Sequence, residues 1–202
     1  MLTPKQKHYR SVKRVMDTAL VLLTLLPLLA LTGLVALLMK LLNPEESVFF
    51  VQYRIGLNEN VFPMLKFRTM KGITPDDIPT SQFEHPETYY LRLGRVLRRT
   101  SIDELPQIYN VLRGEMSWIG PRPLLPEEEP IQTFRKQIGI YQLRPGITGL
   151  AQINGRDYLP DEQKIVYDSS YLENFSFRQD LEILFRSVSY VLMQQGIKKD
   201  QL

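Results

Sequence analysis

Residues 18–39 form a run without a charge or a side-chain amide, and no other feature limits the fold of this chain as much. At ~1.5 Å rise per residue, a straight helix of that length would be about 33 Å long, enough to cross a hydrocarbon core of ~30 Å. Pro27 stands near the middle, in "LLTLLPLLALTG", where it removes a backbone donor and its ring clashes with the preceding turn. If it breaks the helix, the arms 18–26 and 28–39 are each about 14–18 Å long, roughly half the hydrocarbon core. The run can cross a bilayer, or it can enter and turn back.

Its flanks bear on that choice. Residues 1–14 carry Lys5, Lys7, Arg10, Lys13 and Arg14 and no acid, a flank that belongs on the cytoplasmic side beside anionic phospholipid headgroups. The apolar run exceeds the ~7–15 residue core of a signal peptide and no small-x-small cleavage site follows, so it is expected to stay in the mature protein. The remainder is long enough for one domain of ordinary size. We therefore expect a membrane segment over 1–42 and a domain over 43–202.

Composition removes several chemistries. With no cysteine, disulfides and thiolate catalysis are excluded, and with only His8 and His85 a Ser-His-Asp triad or a histidine metal site has little material. A net charge of +3 and a pI near 9.0 suit an anionic partner without choosing among phospholipid, nucleotide and nucleic acid.

The pattern after the membrane segment is α+β and mainly helical. "SVFFVQYR" and "VFPMLKFRTM", separated by "IGLNEN", read as a β-hairpin with a longer loop. Residues 71–87 are proline-rich and read as a surface loop, followed by helical stretches at 91–99 and 103–112. "PEEEPIQTFRKQIG" carries acids first, bases last and a terminal Gly139, the pattern of a capped helix. Residues 180–195 form the last helix, with Gly196 as its stop. Its stripe of Leu181, Leu184, Phe185, Val188, Val191 and Leu192 is expected to cover a core rather than to meet a membrane.

The densest chemical signal is "RRTSIDELPQIYNVL". Ser101 and Glu104 have the spacing of a capping box, in which Glu104 only reaches back to a backbone amide. Asp103 would then lie in the first turn of a helix, where free N–H groups and the dipole favour an ionised carboxylate or a bound phosphate. Two adjacent acids can also hold Mg²⁺, which takes one or two carboxylates and completes its shell with substrate phosphate. A carboxylate can also carry a covalent intermediate.

A second signal is the choice of base. Between residues 86 and 160 there are nine arginines and one lysine, Lys136. Guanidinium binds phosphate bidentately and tolerates partial burial better than ammonium. Arg122 in "GPRP", Arg144 in "RPGITG" and Arg156 in "NGRD" sit on turns whose glycines and prolines give tight backbone able to approach a ligand. Walker A, G-x-G-x-x-G, H-E-x-x-H and G-x-S-x-G sequences do not occur, and no basic stripe with interleaved aromatics points to nucleic acid.

From Lys13 through the last helix, the chain resembles the bacterial sugar transferases, the monotopic phosphoglycosyl transferases that start glycan assembly on a polyprenol carrier. The likeness rests on "KR" with Asp17 before the apolar run, "FVQYRIG", "KFRTM", "LRRTSIDELPQIYNVLRGEMSWIGPRP", "RPGITGLAQINGR" and "YDSSYLENFSF" before "DLEIL". The length looks like that of the family's minimal form. The resemblance implies transfer of a phosphosugar from a nucleotide diphosphate sugar, with UDP as the expected nucleotide, to polyprenyl phosphate, with Mg²⁺. It makes the "DE" pair catalytic: Asp103 as nucleophile at the sugar-bearing phosphorus, Glu104 assisting with metal or acceptor. The family's basic positions fall on Lys66, Arg68, Arg98, Arg122 and Arg156. Some members place a serine before the kink proline, whereas here it is Leu26, leaving the kink to Pro27 and Thr24.

Topology then decides between crossing and turning back. A full crossing from a cytoplasmic N-terminus would export the domain away from cytoplasmic nucleotide sugar, whereas a re-entrant helix kinked at Pro27 keeps it on the cytoplasmic face of the inner membrane. A membrane-anchored scaffold for anionic lipid or glycan would explain the basic flank and the arginines, though not the acid pair among them. A metal-dependent phosphodiesterase could use similar residues.

Overall fold

The computed structural model describes residues 1–74, 85–155 and 159–192. Helix α1, Pro4–Leu42, begins well before the apolar run. Thr3 accepts the Gln6 amide while the Gln6 side chain accepts the Thr3 amide, a capping box ahead of Pro4 in the first turn. Pro27 lies inside α1, and the helix continues through it, so the two arms expected from the sequence belong to one helical element. Thr24 Oγ1 donates back to the Leu20 carbonyl at 2.7 Å, a bond that tends to bend a helix one turn ahead of the proline.

Strands β1, Phe49–Ile55, and β2, Val61–Phe67, form the expected antiparallel hairpin, with Phe49 opposite Phe67 and Ile55 opposite Val61. The segment expected as one helix over 103–112 is two pieces. A 3₁₀ turn spans Ile102–Gln107 and contains Pro106, which has no N–H for an α-helical ladder, and α3 follows at Ile108–Arg113. Helix α2, Gly94–Thr100, is shorter than the expected 91–99 stretch at its start because Leu93 holds a left-handed conformation. Of the expected loop, Pro86–Tyr89 forms a 3₁₀ turn and 75–84 lie outside the described residues. Helix α4, Glu129–Ile138, ends as expected on Gly139, at φ 79°.

Two short strands, β3 at Ser117–Ile119 and β4 at Gly146–Thr148, pair in parallel. They explain the glycines of "GPRP" and "RPGITG". A Cβ added to Gly120 would lie 2.4 Å from the Arg144 carbonyl oxygen, and one on Gly149 would lie 2.0 Å from that of Gly120. These glycines let two backbones cross each other; the close approach expected toward a ligand is toward the chain itself.

Helices α5, Asp161–Glu173, and α6, Phe177–Leu192, complete the domain, and Gly196 lies outside the described residues. The α6 stripe corrects the sequence reading. Of the expected stripe, Leu184 packs against the core, whereas Leu181, Phe185 and Val188 face outward, Phe185 at 66% exposure, and the buried positions are Asp180, Ile183 and Tyr190. The inward face is fixed by polar contacts that hydrophobic periodicity does not register. Asp180 accepts from Lys13 Nζ at 2.6 Å, from Tyr171 at 2.7 Å and from Tyr9.

Three apolar clusters make the core, and the α1 segment reaches all of them. Leu2, with Tyr9 packed alongside, joins Ile119, Tyr171, Phe175 and Ile183. Val21 joins Phe62, Met64, Ile108, Val111 and Met116, while Val35 and Met39 join Phe67 and Leu97. The opposite side of α1 is bare, with Leu23 and Leu26 each about four-fifths exposed.

Candidate active site

The acid pair sits where the chain changes direction. Ser101 is left-handed at φ 57°, and its N–H is already spent on the Arg98 carbonyl at 3.2 Å. Its side chain makes no capping bond. The capping-box reading therefore does not describe Glu104, whose Oε1 lies 3.4 Å from Lys66 Nζ and 3.8 Å from Arg122 Nη1. Asp103, the neighbouring acid, is 7% exposed.

Lys66 reaches this point because side chains alternate along β2. Phe62 and Met64 enter the core beside Val21, and Lys66 continues the same face at the strand's end. Buried Asn110 of α3 fixes the free edge of β2: its Oδ1 accepts from the Leu65 amide at 3.0 Å and its Nδ2 donates to the Pro63 carbonyl at 2.8 Å. The side chain thus replaces a strand rung and joins the Lys66 strand to the helix that follows the acid pair. Burial pushes the Lys66 ammonium below its ordinary value; Glu104 opposes the shift and Arg122 adds to it.

Arg122 is held through its own backbone. Its carbonyl accepts from Arg135 Nη1 at 2.7 Å, and Arg135 is locked by a buried pair with Asp168, Nε to Oδ2 at 2.7 Å. Arg54 donates to the Pro123 carbonyl at 3.3 Å and faces Glu128 at 3.7 Å. Sequence reasoning missed Asn110, Arg135, Asp168 and Arg54. Each lies in a string that carried the resemblance or in the capped helix, but none has a spacing that advertises its partner.

The structure brings Lys66, Asp103, Glu104 and Arg122 together. Arg68 instead donates to Ser47 Oγ at 2.7 Å and stacks over Phe50. Arg98 stacks over Tyr90 and contacts Met70 Sδ at 3.5 Å. Arg144 is elsewhere, its Nε donating to the Gly114 carbonyl at 2.8 Å beside the foot of α1. Arg156 lies outside the described residues.

Among the described residues no group of three acids, histidines or cysteines is placed to hold a metal. Two adjacent carboxylates fit Mg²⁺ only in the mode that draws its other ligands from substrate phosphate and water. The arrangement is one of two carboxylates within a cationic wall, suited to hold a diphosphate against a carboxylate nucleophile.

Residues 8–194 match the bacterial sugar transferase family. An uncharacterized sugar transferase, EpsL, of Bacillus subtilis is 44% identical over 75% of this chain and 73% of its own length. The UDP-glucose:undecaprenyl-phosphate glucose-1-phosphate transferase of Caulobacter vibrioides is 40% identical over 89% of this chain and 69% of its own. The UDP-galactose-lipid carrier transferase of Erwinia amylovora is 34% identical over 93% of this chain, which spans 42% of that relative.

Proposed function

The chain belongs to the bacterial sugar transferase family, and from that premise we propose that it is a phosphoglycosyl transferase that moves a phosphosugar from a UDP-sugar to undecaprenyl phosphate, the first step in assembling an exopolysaccharide. The observation that carries this reading is Glu104 held between Lys66 and Arg122 with Asp103 beside it. A scaffold that only bound anions would gain nothing from a buried acid next to its cations.

In the proposed reaction an Asp103 carboxylate oxygen attacks the sugar-bearing phosphorus. The bond from that phosphorus to the bridging oxygen breaks, and UMP leaves with the electron pair. An oxygen of polyprenyl phosphate then attacks the same phosphorus, the aspartyl–phosphorus bond breaks, and Asp103 returns as a carboxylate. Lys66 and Arg122 hold the diphosphate oxygens, and the Arg135–Asp168 pair fixes the turn that carries Arg122. Bound Mg²⁺, held by Asp103, Glu104 and substrate phosphate, would neutralise charge developing on the leaving phosphate.

We place the domain, residues 43–202, on the cytoplasmic face of the inner membrane, with α1 re-entrant and kinked at Pro27 and its basic flank on anionic phospholipid. Support comes from the packing of α1. Leu2 at one end and Met39 at the other both bury against the domain. A straight helix between them would be about 55 Å long. A domain of this size has a radius of gyration of about 15 Å, roughly 40 Å across. Contact at both ends favours a bent helix, and a helix crossing the bilayer would hold only one end near the domain.

The test is to incubate membranes containing the protein with a panel of labelled UDP-sugars and undecaprenyl phosphate. Label in the lipid fraction with release of UMP is expected, lost on chelation and restored by Mg²⁺. Label released as water-soluble sugar phosphate would make the protein a phosphodiesterase. No turnover with any donor would favour the scaffold.

A further inference from the structure

A second cationic pocket lies at the foot of α1, among residues the proposed reaction does not use. It is lined by Arg10, Lys13, Arg14 and Asp17 of α1 and by Ser117 and Arg144 from the domain. The charges in it are unequally matched. Lys13 is neutralised by Asp180 at 2.6 Å. The Asp17 carboxylate accepts from Ser117 Oγ at 2.8 Å and from the Trp118 amide at 3.4 Å, and its charge, 3.9 Å from Lys13 Nζ, is a single negative one set against three arginines. Arg10, Arg14 and Arg144 have no ion pair among the described residues.

Each of the three guanidiniums spends part of its donor set on backbone. Arg10 donates to the Gln142 carbonyl at 3.1 Å. Arg14 holds the Val111 carbonyl and, at 2.9 Å, that of Leu112, while Arg144 uses Nε on Gly114. Together, Arg14 and Arg144 cap the C-terminal carbonyls of α3, which explains why both are fixed. A guanidinium has five N–H donors, so the two Nη groups of Arg144 and most of Arg10 are left for another acceptor. The crowding carries a cost: burial and the neighbouring Arg14 and Arg10 lower the Arg144 pKa from its ordinary value, and Asp17 offsets only part of the shift. Fixed, partly desolvated like charges are relieved by an anion, and forked donors match a phosphate.

We propose that Arg10, Arg14 and Arg144 bind one phosphate group, and that its source is a lipid headgroup. The second half of the inference rests on the membrane placement proposed above. Arg14 precedes Thr18, where the apolar run starts, by one helical turn, about 6 Å along the axis, which puts the pocket at headgroup level. A phosphate there would tie α1 to the end of α3, the helix that follows Asp103 and Glu104. The site is distinct from the proposed catalytic centre and needs no turnover.

The test uses thermal unfolding of the full chain, so an inactive protein still reports. One arm titrates inorganic phosphate into protein in neutral detergent. The other compares nanodiscs of phosphatidylcholine with and without phosphatidylglycerol. Arg144→Gln and Arg10→Gln are compared with wild type and with Arg113→Gln, which alters an exposed arginine paired with Glu115. Expected are a saturable stabilisation by phosphatidylglycerol, unchanged in Arg113→Gln and weakened about tenfold or more in apparent affinity in each pocket variant, since a bond to a charged group is worth ~1.5–3 kcal/mol. Arg144→Lys and Arg10→Lys keep the charge and guard against loss of the fold; they should bind more weakly than wild type but more tightly than the glutamine variants. Stabilisation by inorganic phosphate alone would overturn the lipid source and keep the site. Equal stabilisation of all variants by phosphatidylglycerol would reduce the effect to diffuse surface charge, and no stabilisation in either arm would remove the site altogether.

Discussion

Asp103 and Glu104 are neighbours in sequence but have different surroundings. Glu104 is shared between two cations, so its charge is balanced before substrate arrives. Asp103 is the buried acid next to it and the one assigned the nucleophile's role. Asp103→Asn is expected to abolish transfer with an unchanged unfolding temperature, because an amide cannot form the acyl phosphate. Retention of more than about a tenth of wild-type turnover in a lipid-product assay would defeat that assignment, since loss of a covalent step is worth far more than tenfold. Arg122→Lys tests the opposite wall. It keeps the charge but loses the planar fork, and turnover should fall even though Glu104 retains a cation beside it; kinetics equal to wild type would show that Arg122 acts only as a point charge. The acid pair and Arg122 could be singled out in the sequence because acids among arginines suggest a phosphate site, and the structure brings them together. The same string also fitted a capping box, and spacing could not choose. The decision rests on Ser101, whose left-handed backbone gives its N–H to Arg98 and leaves Glu104 free to face Lys66.

At the level of elements, the hairpin and α4 follow directly from local pattern: alternation along "FFVQYRI" and "VFPMLKF", and acids, bases and Gly139 in order along the helix. What local pattern does not contain is the partner of each element. Helix α6 has two candidate inner faces, and the more apolar one is outside. A buried Asp180 tied to Lys13, Tyr9 and Tyr171 turns the helix so that Ile183 goes in and Phe185 comes out. The long-range nature of those bonds hides them, since the partners lie on α1 and α5. The consequence can be measured as a contrast between two positions two residues apart, on opposite faces of the helix. Ile183→Ala should cost about 2–5 kcal/mol, as for a fully buried aliphatic side chain. Phe185→Ser should stay within about 0.5 kcal/mol in detergent, as at an exposed site. If thermal unfolding ranks them the other way, the stripe read from the sequence is the core face after all.

For the whole molecule, α1 is a strut for the domain, since each of the three core clusters takes residues from it or from the turn before it, and on the proposed placement it is the membrane segment as well. Only the membrane role was legible, because an apolar run looks alike whether lipid or protein surrounds it. One compositional trace of the strut role exists: within residues 18–39 the buried positions are Val21, Val35 and Met39, while the most exposed large apolar side chains are leucines. Leucine lies on both faces, since Leu25 and Leu28 pack against the Val21 cluster, and it is the fully buried valines and methionine that mark the contact with the domain. The packing also sharpens the test of Pro27. Pro27→Leu restores a backbone donor and removes the ring clash, so α1 can straighten to a length that spans the bilayer. On the bent, re-entrant course proposed for α1, straightening must pull either the Leu2 and Tyr9 end or the Val35 and Met39 end from its cluster, so the variant should lose stability as well as topology. With the basic flank retained inside, part of the population should carry its domain outside and be inactive there, although Asp103 and Arg122 are unchanged. The chain has no cysteine, so one introduced before residue 14 and one after residue 43 report the two sides separately. In intact cells a membrane-impermeant thiol reagent should label neither in the native background and the later one in Pro27→Leu. Labelling of the later site in the native background, with the earlier one protected, would mean that α1 crosses the membrane and that the domain lies outside.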